Sequence, residues 1–260
     1  MEEKMRIMAL GDITDPESVR YICDKLWDIR RDRGVDFVIA NAENASFING
    51  ASAEQMKELI DSGVDVVTGG NHTMQNRSVH PFLDENPNVL RPINYPAETP
   101  GTGYTIGDVN GYRVMVINAL GKVNMEPNLD CPFTAVEKAL VREAGKYDFA
   151  VLDFHAEAVG EKMVMPYLFD GRISVIFGTH THLRTADARV FPGGCGYITD
   201  IGMCGHSGGI IGSDSACIIE RIVKHMPAKY APATGDIVCN ATVFEIDDAF
   251  RCRGIESFDF

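Results

Sequence analysis

The sequence predicts an α/β fold, and three observations carry the prediction. Short apolar runs alternate with amphipathic helical stripes from Met5 to His72. Gly- and Asn-rich turns punctuate the junctions. Polar residues able to bind metal fall at the ends of the apolar runs, where an open α/β sheet takes its ligands.

Each element follows from local chemistry. Met5–Leu10 is a short apolar run ending in Gly11-Asp12, the pattern of a buried strand. Asp15 caps and Pro16 opens a helix whose stripe is Val19, Ile22, Leu26 and Ile29, with Gly34 as its stop. Phe37–Ala40 is a second strand, leading into Asn41-Ala42-Glu43-Asn44. Ser52 and Gln55 form a capping box for a helix carrying Met56, Leu59 and Ile60, closed by Gly63. Val64–Val67 is a third strand and runs into Gly69-Gly70-Asn71-His72. This order implies a parallel sheet with right-handed crossovers.

The middle changes character. Gly103–Ile106 and Arg113–Asn118 flank Asn110-Gly111, a hairpin turn signal. Thr134–Ala144 reads as helix, and Ala150–Leu152 as a strand delivering Asp153-Phe154-His155. A helix follows around Glu161–Phe169, and the strand Val175–Phe177 delivers Gly178-Thr179-His180-Thr181-His182. Tyr197–Thr199 and Val238–Ile246 are late strands. With no repeat, low-complexity tract or long linker, one domain spanning residues 1–260 is expected.

Composition bounds the function. The 260 residues carry a net charge of −13, and 45% are hydrophobic, which argues for a packed globular chain. The acidic balance weighs against coating long nucleic acid, where Lys and Arg must neutralise phosphates, and against docking on anionic lipid. A small phosphorylated substrate stays compatible, because a bound metal supplies local positive charge. The N-terminus starts acidic and its apolar run is short, so a secretory signal is not expected. No run is long enough to span a bilayer. The seven Cys are scattered without a C-x-x-C, as expected of reduced thiols in a cytoplasmic protein.

Five strand ends aim polar side chains at one rim: Asp12, Glu43-Asn44, Asn71-His72, His155 and His180/His182. Any one alone reads as a turn residue, a cap or a structural histidine. Together they form a mixed N/O donor set without thiolate. Such a set suits Fe or Mn, and also Zn, and differs from an all-oxygen Ca cage. The ligands are too many for one tetrahedral ion and suit two ions sharing a carboxylate. Two such ions can clamp a phosphoryl group during in-line displacement.

The runs GDITD, NAENAS, GGNH, DFHAEA and GTHTH, in this order, resemble the calcineurin-like metallophosphoesterases. They are most similar to the bacterial YmdB-like subfamily of 2′,3′-cyclic-nucleotide 2′-phosphodiesterases. LFDGR, PGG and YITDIGM extend the resemblance over most of the chain. It implies two packed central sheets flanked by helices, with the active site at the C-terminal ends of strands. It also implies two divalent or mixed-valence metal ions. Asp12, Asn44 and His182 then match ligands of metal 1, and Asn71, His155 and His180 those of metal 2. Glu43 matches the bridging carboxylate and His72 the proton donor. Thr14 stands where the wider superfamily has a histidine, and Glu43 where it has an aspartate; both fit the YmdB-like branch.

The mechanism so implied has hydroxide held between the ions attacking phosphorus, with His72 protonating the leaving alkoxide as general acid. The expected partner is a small phosphodiester such as a cyclic nucleotide; self-association into a homo-oligomer stays open. The competing readings are a metal-dependent phosphatase or nuclease, and a regulatory metal-binding protein with little turnover. His80, His206 and His225 are expected at surface or structural positions. The Gly-rich run CGHSGGIIGS is expected as a mobile surface loop, with a phosphate cradle as the alternative. Glu157 is placed near His155, as an orienting group or a solvent-facing carboxylate, and Arg184 on the surface, with contact to a substrate phosphate as the alternative.

Overall fold

The structure, a computed structural model, describes residues 5–47 and 50–260. The acidic start of the chain at residues 2–3 lies outside them. The first half runs β1 (Met5–Leu10), β2 (Asp12–Ile13), α1 (Pro16–Arg33), β3 (Phe37–Asn41), α2 (Ala53–Asp61), β4 (Val66–Thr68) and α3 (Val79–Glu85). The middle runs β5 (Tyr104–Val109), β6 (Tyr112–Leu120), α4 (Pro132–Arg142), β7 (Phe149–His155), α5 (Val159–Phe169) and β8 (Val175–Thr179). The last part holds β9 (Arg189–Val190), β10 (Gly196–Ile198), β11 (Met203–His206), α6 (Ser215–Ile222), β12 (Ile237–Ile246) and β13 (Cys252–Asp259).

The local signals act as their chemistry dictates. Asp15 accepts the backbone N–H groups of Glu17 and Ser18, and Gly34 closes α1 in the left-handed region at φ 58°. The capping box of Ser52 and Gln55 is formed at the start of α2. Asn110 and Gly111 both take positive φ, as a tight hairpin between β5 and β6 requires.

Two sheets result. One has seven strands, in the order β2-β11-β12-β1-β3-β4, with β13 also paired to β12; the other has six, in the order β5-β6-β7-β8-β10-β9. Alternate residues of each central strand face opposite ways. Ile7 and Ile39 of the first sheet join Val116, Val151 and Phe177 of the second in a core between the sheets. Met8 and Leu10 turn the other way, onto Val19, Ile22 and Leu26 of α1 and Met56 and Leu59 of α2. Ile117, Leu152 and Ile176 pack likewise against Val136, Leu140 and Met165 of α4 and α5. Central strands covered on both faces explain the continuous apolar runs. Each fully buried side chain contributes roughly 1.5–3 kcal/mol.

The opening strands β1, β3 and β4 pair in parallel, as their order implies, and the late strand β12 adds an antiparallel member to the same sheet. It enters between β1 and β11, antiparallel to both. It is also antiparallel to β13. The helices α3 and α6 and the strands β2, β9, β11 and β13 are additions to the sequence reading. Among the described residues no helix is long and apolar enough to cross a membrane.

Candidate metal centre

The rim residues arrive from both sheets. Asn41 ends β3, and its Oδ1 accepts the Glu43 N–H at 3.0 Å, turning Glu43 and Asn44 inward. After β4, Thr73 Oγ1 accepts the Gly70 N–H at 2.8 Å and shapes the turn that carries Asn71 and His72. Gly70 is required there, since a Cβ would lie 2.4 Å from His155 Nε2. His155 is the last residue of β7, and His180 follows the last residue of β8. Asp12 lies in the short β2, held against β11.

All eight sequence-predicted residues meet. Glu43, His155 and His180 form one group of converging ligand atoms, and Asp12, Glu43 and His182 a second, each within 4.8 Å. Glu43 belongs to both. Asn71 Oδ1 stands 3.0 Å from His155 Nε2, and His180 Nδ1 stands 3.1 Å from that same nitrogen. The Asn44 amide donates to Glu43 Oε1, and its Oδ1 lies 2.7 Å from His72 Nδ1. Asn44 therefore links the shared carboxylate to the proposed acid.

The donor set fits cations. Asp12 and Glu43 are buried side by side. Burial pushes the Asp12 carboxyl well up, and the Glu43 and Asp200 charges push it further. Burial alone would raise Glu43 too, but His155 and then His72 outweigh it and hold its carboxyl below the usual range. Asp12 Oδ1 is buried without a hydrogen-bond partner. An orphaned carboxylate oxygen amid imidazoles is costly alone and suited to a positive ion.

The partners of the three imidazoles fix which nitrogen faces inward. Thr179 Oγ1 donates to Asp153 Oδ1 at 2.7 Å, so it accepts from His155 Nδ1 at 2.9 Å and leaves the Nε2 lone pair free. Thr68 and Asn41 hold Asp153 from its other oxygen. Burial pushes the Asp153 carboxyl up to about 6, against these hydrogen bonds. His182 Nδ1 donates to the Ile211 carbonyl at 2.9 Å, again freeing Nε2. Glu157 lies 3.2 Å from His180 Nε2, leaving Nδ1 to the centre. Such partners orient ligating histidines and raise their basicity.

Thr179→Val should therefore weaken metal affinity by about 10–100-fold with the fold retained. Titration of the metal-free variant checks this, and unchanged affinity would refute the relay.

Sequence reasoning missed Asp153 and Thr179. Asp153 carried a signal, a carboxylate between Leu152 and Phe154 inside β7, whereas Thr179, between Gly178 and His180 at the end of β8, carried none. Two expectations shift, those for Glu157 and the Gly-rich run, and one holds, that for Arg184. Glu157 serves His180 rather than His155. Arg184 lies at the surface, as expected, tied to Asp259 at 2.6 Å. The Gly-rich run is no free loop: it begins as β11, and its Ile211 carbonyl holds His182. His206 contacts the Gly235 carbonyl and Glu17, and His80 the Met74 carbonyl.

Known proteins share this sequence and fold. A 2′,3′-cyclic-nucleotide 2′-phosphodiesterase of Bacillus subtilis (strain 168) is 37% identical over 94% of this chain and 92% of its own. The crystal structure of a hypothetical protein from Thermus thermophilus superposes with a TM-score of 0.90 at 36% identity, covering 98% of this chain and 99% of that one. A novel phosphatase from Mycoplasma pneumoniae superposes with a TM-score of 0.92 at 28% identity, covering 100% and 94%. The family model for YmdB-like proteins matches residues 8–258. With the motifs, the two sheets and the ligand cluster in place, the chain belongs to the YmdB-like family.

Proposed function

We propose that this phosphoester hydrolase cleaves small phosphodiesters at a two-metal centre, with 2′,3′-cyclic nucleotides as its substrates. The observation that carries the reading is the pair of ligand groups sharing Glu43, with His72 leaning on the same carboxylate. The B. subtilis relative's name supplies the substrate class.

Asp12, Asn44 and His182 would hold one ion, and Asn71, His155 and His180 the other, with Glu43 between them. Fe or Mn suits these donors best, and Zn is admissible. When bound, the ions would supply Lewis-acid charge at the phosphoryl oxygens and a water acidic enough to attack near neutral pH.

The protein's own part is orientation and proton transfer. Asn44 Oδ1 at 2.7 Å and Glu43 Oε1 at 3.3 Å both face His72 Nδ1, so that nitrogen carries a hydrogen and Nε2 is turned away. Burial would lower the His72 pKa, but the Glu43 carboxylate outweighs it and raises it. A protonated imidazole at the partly open rim can then hand its Nε2 proton to a leaving oxygen. Asp12, Glu43 and His155 lie buried behind it.

The test is hydrolysis of a panel with Mn(II) added: 2′,3′-cyclic nucleotides, a linear diester and a monoester, with Asp12→Asn as control. Preference for the cyclic diesters, lost in the control, is expected. Turnover of the monoester alone would make it a phosphatase. Two bound ions without turnover of any ester would make it a binding protein.

A further inference from the structure

The buried pair Lys162–Asp200 lies outside the ligand set, yet the contacts of Asp200 lead back to it. Lys162 Nζ, on α5, stands 2.7 Å from Asp200 Oδ2, with the side chains 1% and 0% exposed. The same oxygen accepts the Thr181 N–H at 3.1 Å and the Thr181 hydroxyl at 2.8 Å. Thr181 is the residue between His180 and His182. Asp200 Oδ1 accepts the Gly202 N–H at 2.9 Å, and the Gly202 carbonyl accepts the Asp12 N–H at 3.1 Å. Asp200 also closes the far end of the histidine segment. Its own N–H donates to Thr185 Oγ1 at 3.0 Å, and its carbonyl accepts the Thr185 N–H at 3.0 Å.

The segment needs such a hold. His180 and His182 both take positive φ, at 104° and 63°. Residues with a Cβ keep that conformation only where their surroundings over-determine it, and such positions gather at functional sites. Relaxing either residue to negative φ would swing its imidazole off the ion it faces. The two bonds to Thr181 grip the backbone midway between the strained residues. A carboxylate suits the task because it accepts several donors at once. Lys162 supplies the opposite charge that a buried carboxylate requires.

We infer that Asp200, neutralised by Lys162, is a positioning residue that fixes His180 and His182 through Thr181 and so sets the affinity of both ion sites. The inference rests on the two-metal reading of the centre.

The test strips the full-length protein of metal and titrates it with Mn(II) alone, following bound ion directly. Thr181→Val removes the hydroxyl at nearly constant shape. It should weaken binding of both ions about 10-fold, while the unfolding midpoint of the metal-free protein stays within about two degrees of wild type. Thr181→Ser restores the hydroxyl and should restore the affinity. Asp200→Asn, which also leaves Lys162 without its anion, should lose up to about 100-fold.

Wild-type affinity in Thr181→Val, or a lower unfolding midpoint with affinity unchanged, overturns the inference. The two readings fail separately. A wild-type chain that binds two ions and hydrolyses no phosphoester overturns the phosphodiesterase reading and leaves this one. A chain that binds no ion overturns both.

Discussion

Glu43→Gln should leave a folded protein with neither its metal nor its turnover. Glu43 belongs to both groups of converging ligand atoms, so one substitution damages both ion sites. A neutral amide has the shape of the carboxylate but not the charge that draws two cations together. Ion affinity should fall by more than about 100-fold, beyond the loss typical of an outer hydrogen-bond partner. Elemental analysis of the purified variant should then find less than one ion per chain. The metal-free fold should suffer little. Gln keeps one acceptor, for the His72 backbone N–H that Glu43 Oε2 accepts at 2.9 Å, and loses the Asn44 contact at Oε1, while its neutrality relieves the repulsion that raises the Asp12 carboxyl. A variant with two ions per chain would remove Glu43 from the bridging position.

His72→Ala should do the opposite: keep both ions and lose turnover. Its Nδ1 is committed to Asn44 and Glu43, so its value lies in the proton at Nε2. Loss of a general acid lowers kcat by about 100- to 10,000-fold. The size should depend on the leaving group. A cyclic nucleotide expels a basic alkoxide that needs the proton, whereas a 4-nitrophenyl diester expels an oxygen that does not. The first substrate should show the full loss and the second only a small part of it. Equal losses on both would make His72 a structural or binding residue instead.

The sequence made the candidate site legible because its candidate ligands are local. Each lies at or just after a strand, and the strand is readable from a few apolar residues. The parts that were not legible depend on distant contacts. Thr179 and Asp153 form a relay only because β7 and β8 pair in register, with His155 opposite Thr179. Glu157 reaches His180 because the chain after β7 passes the loop after β8. Lys162 and Asp200 sit on different elements, and no spacing relates them.

The elements that escaped notice were short or lacked period. β11 is four residues in a Gly-rich run, and β2 is two. β13 exposes residues on both faces as the partner of β12 alone, so it shows no alternation. α6 carries Ile219 and Ile222 exposed, which blurs its apolar stripe.

The place of β12 in the first sheet bears on how the protein is made. Asn240 offers its carbonyl to the Gly11 N–H at 3.1 Å and its side-chain oxygen to the Met203 N–H at 3.0 Å. The backbone beside Asp12 is therefore completed by a strand that is made long after it. At about 5–20 residues per second, the interval between synthesis of Asp12 and of Asn240 is on the order of 10–50 s. Throughout that time β1 has an open edge where β12 will later lie, a form open to wrong pairing. The nascent chain already carries Glu43, His72, His155 and His180, but it has no finished cradle for them. On the two-metal proposal, ion capture belongs after translation, and a chain stalled before Ile237 carries the candidate ligands without the finished site.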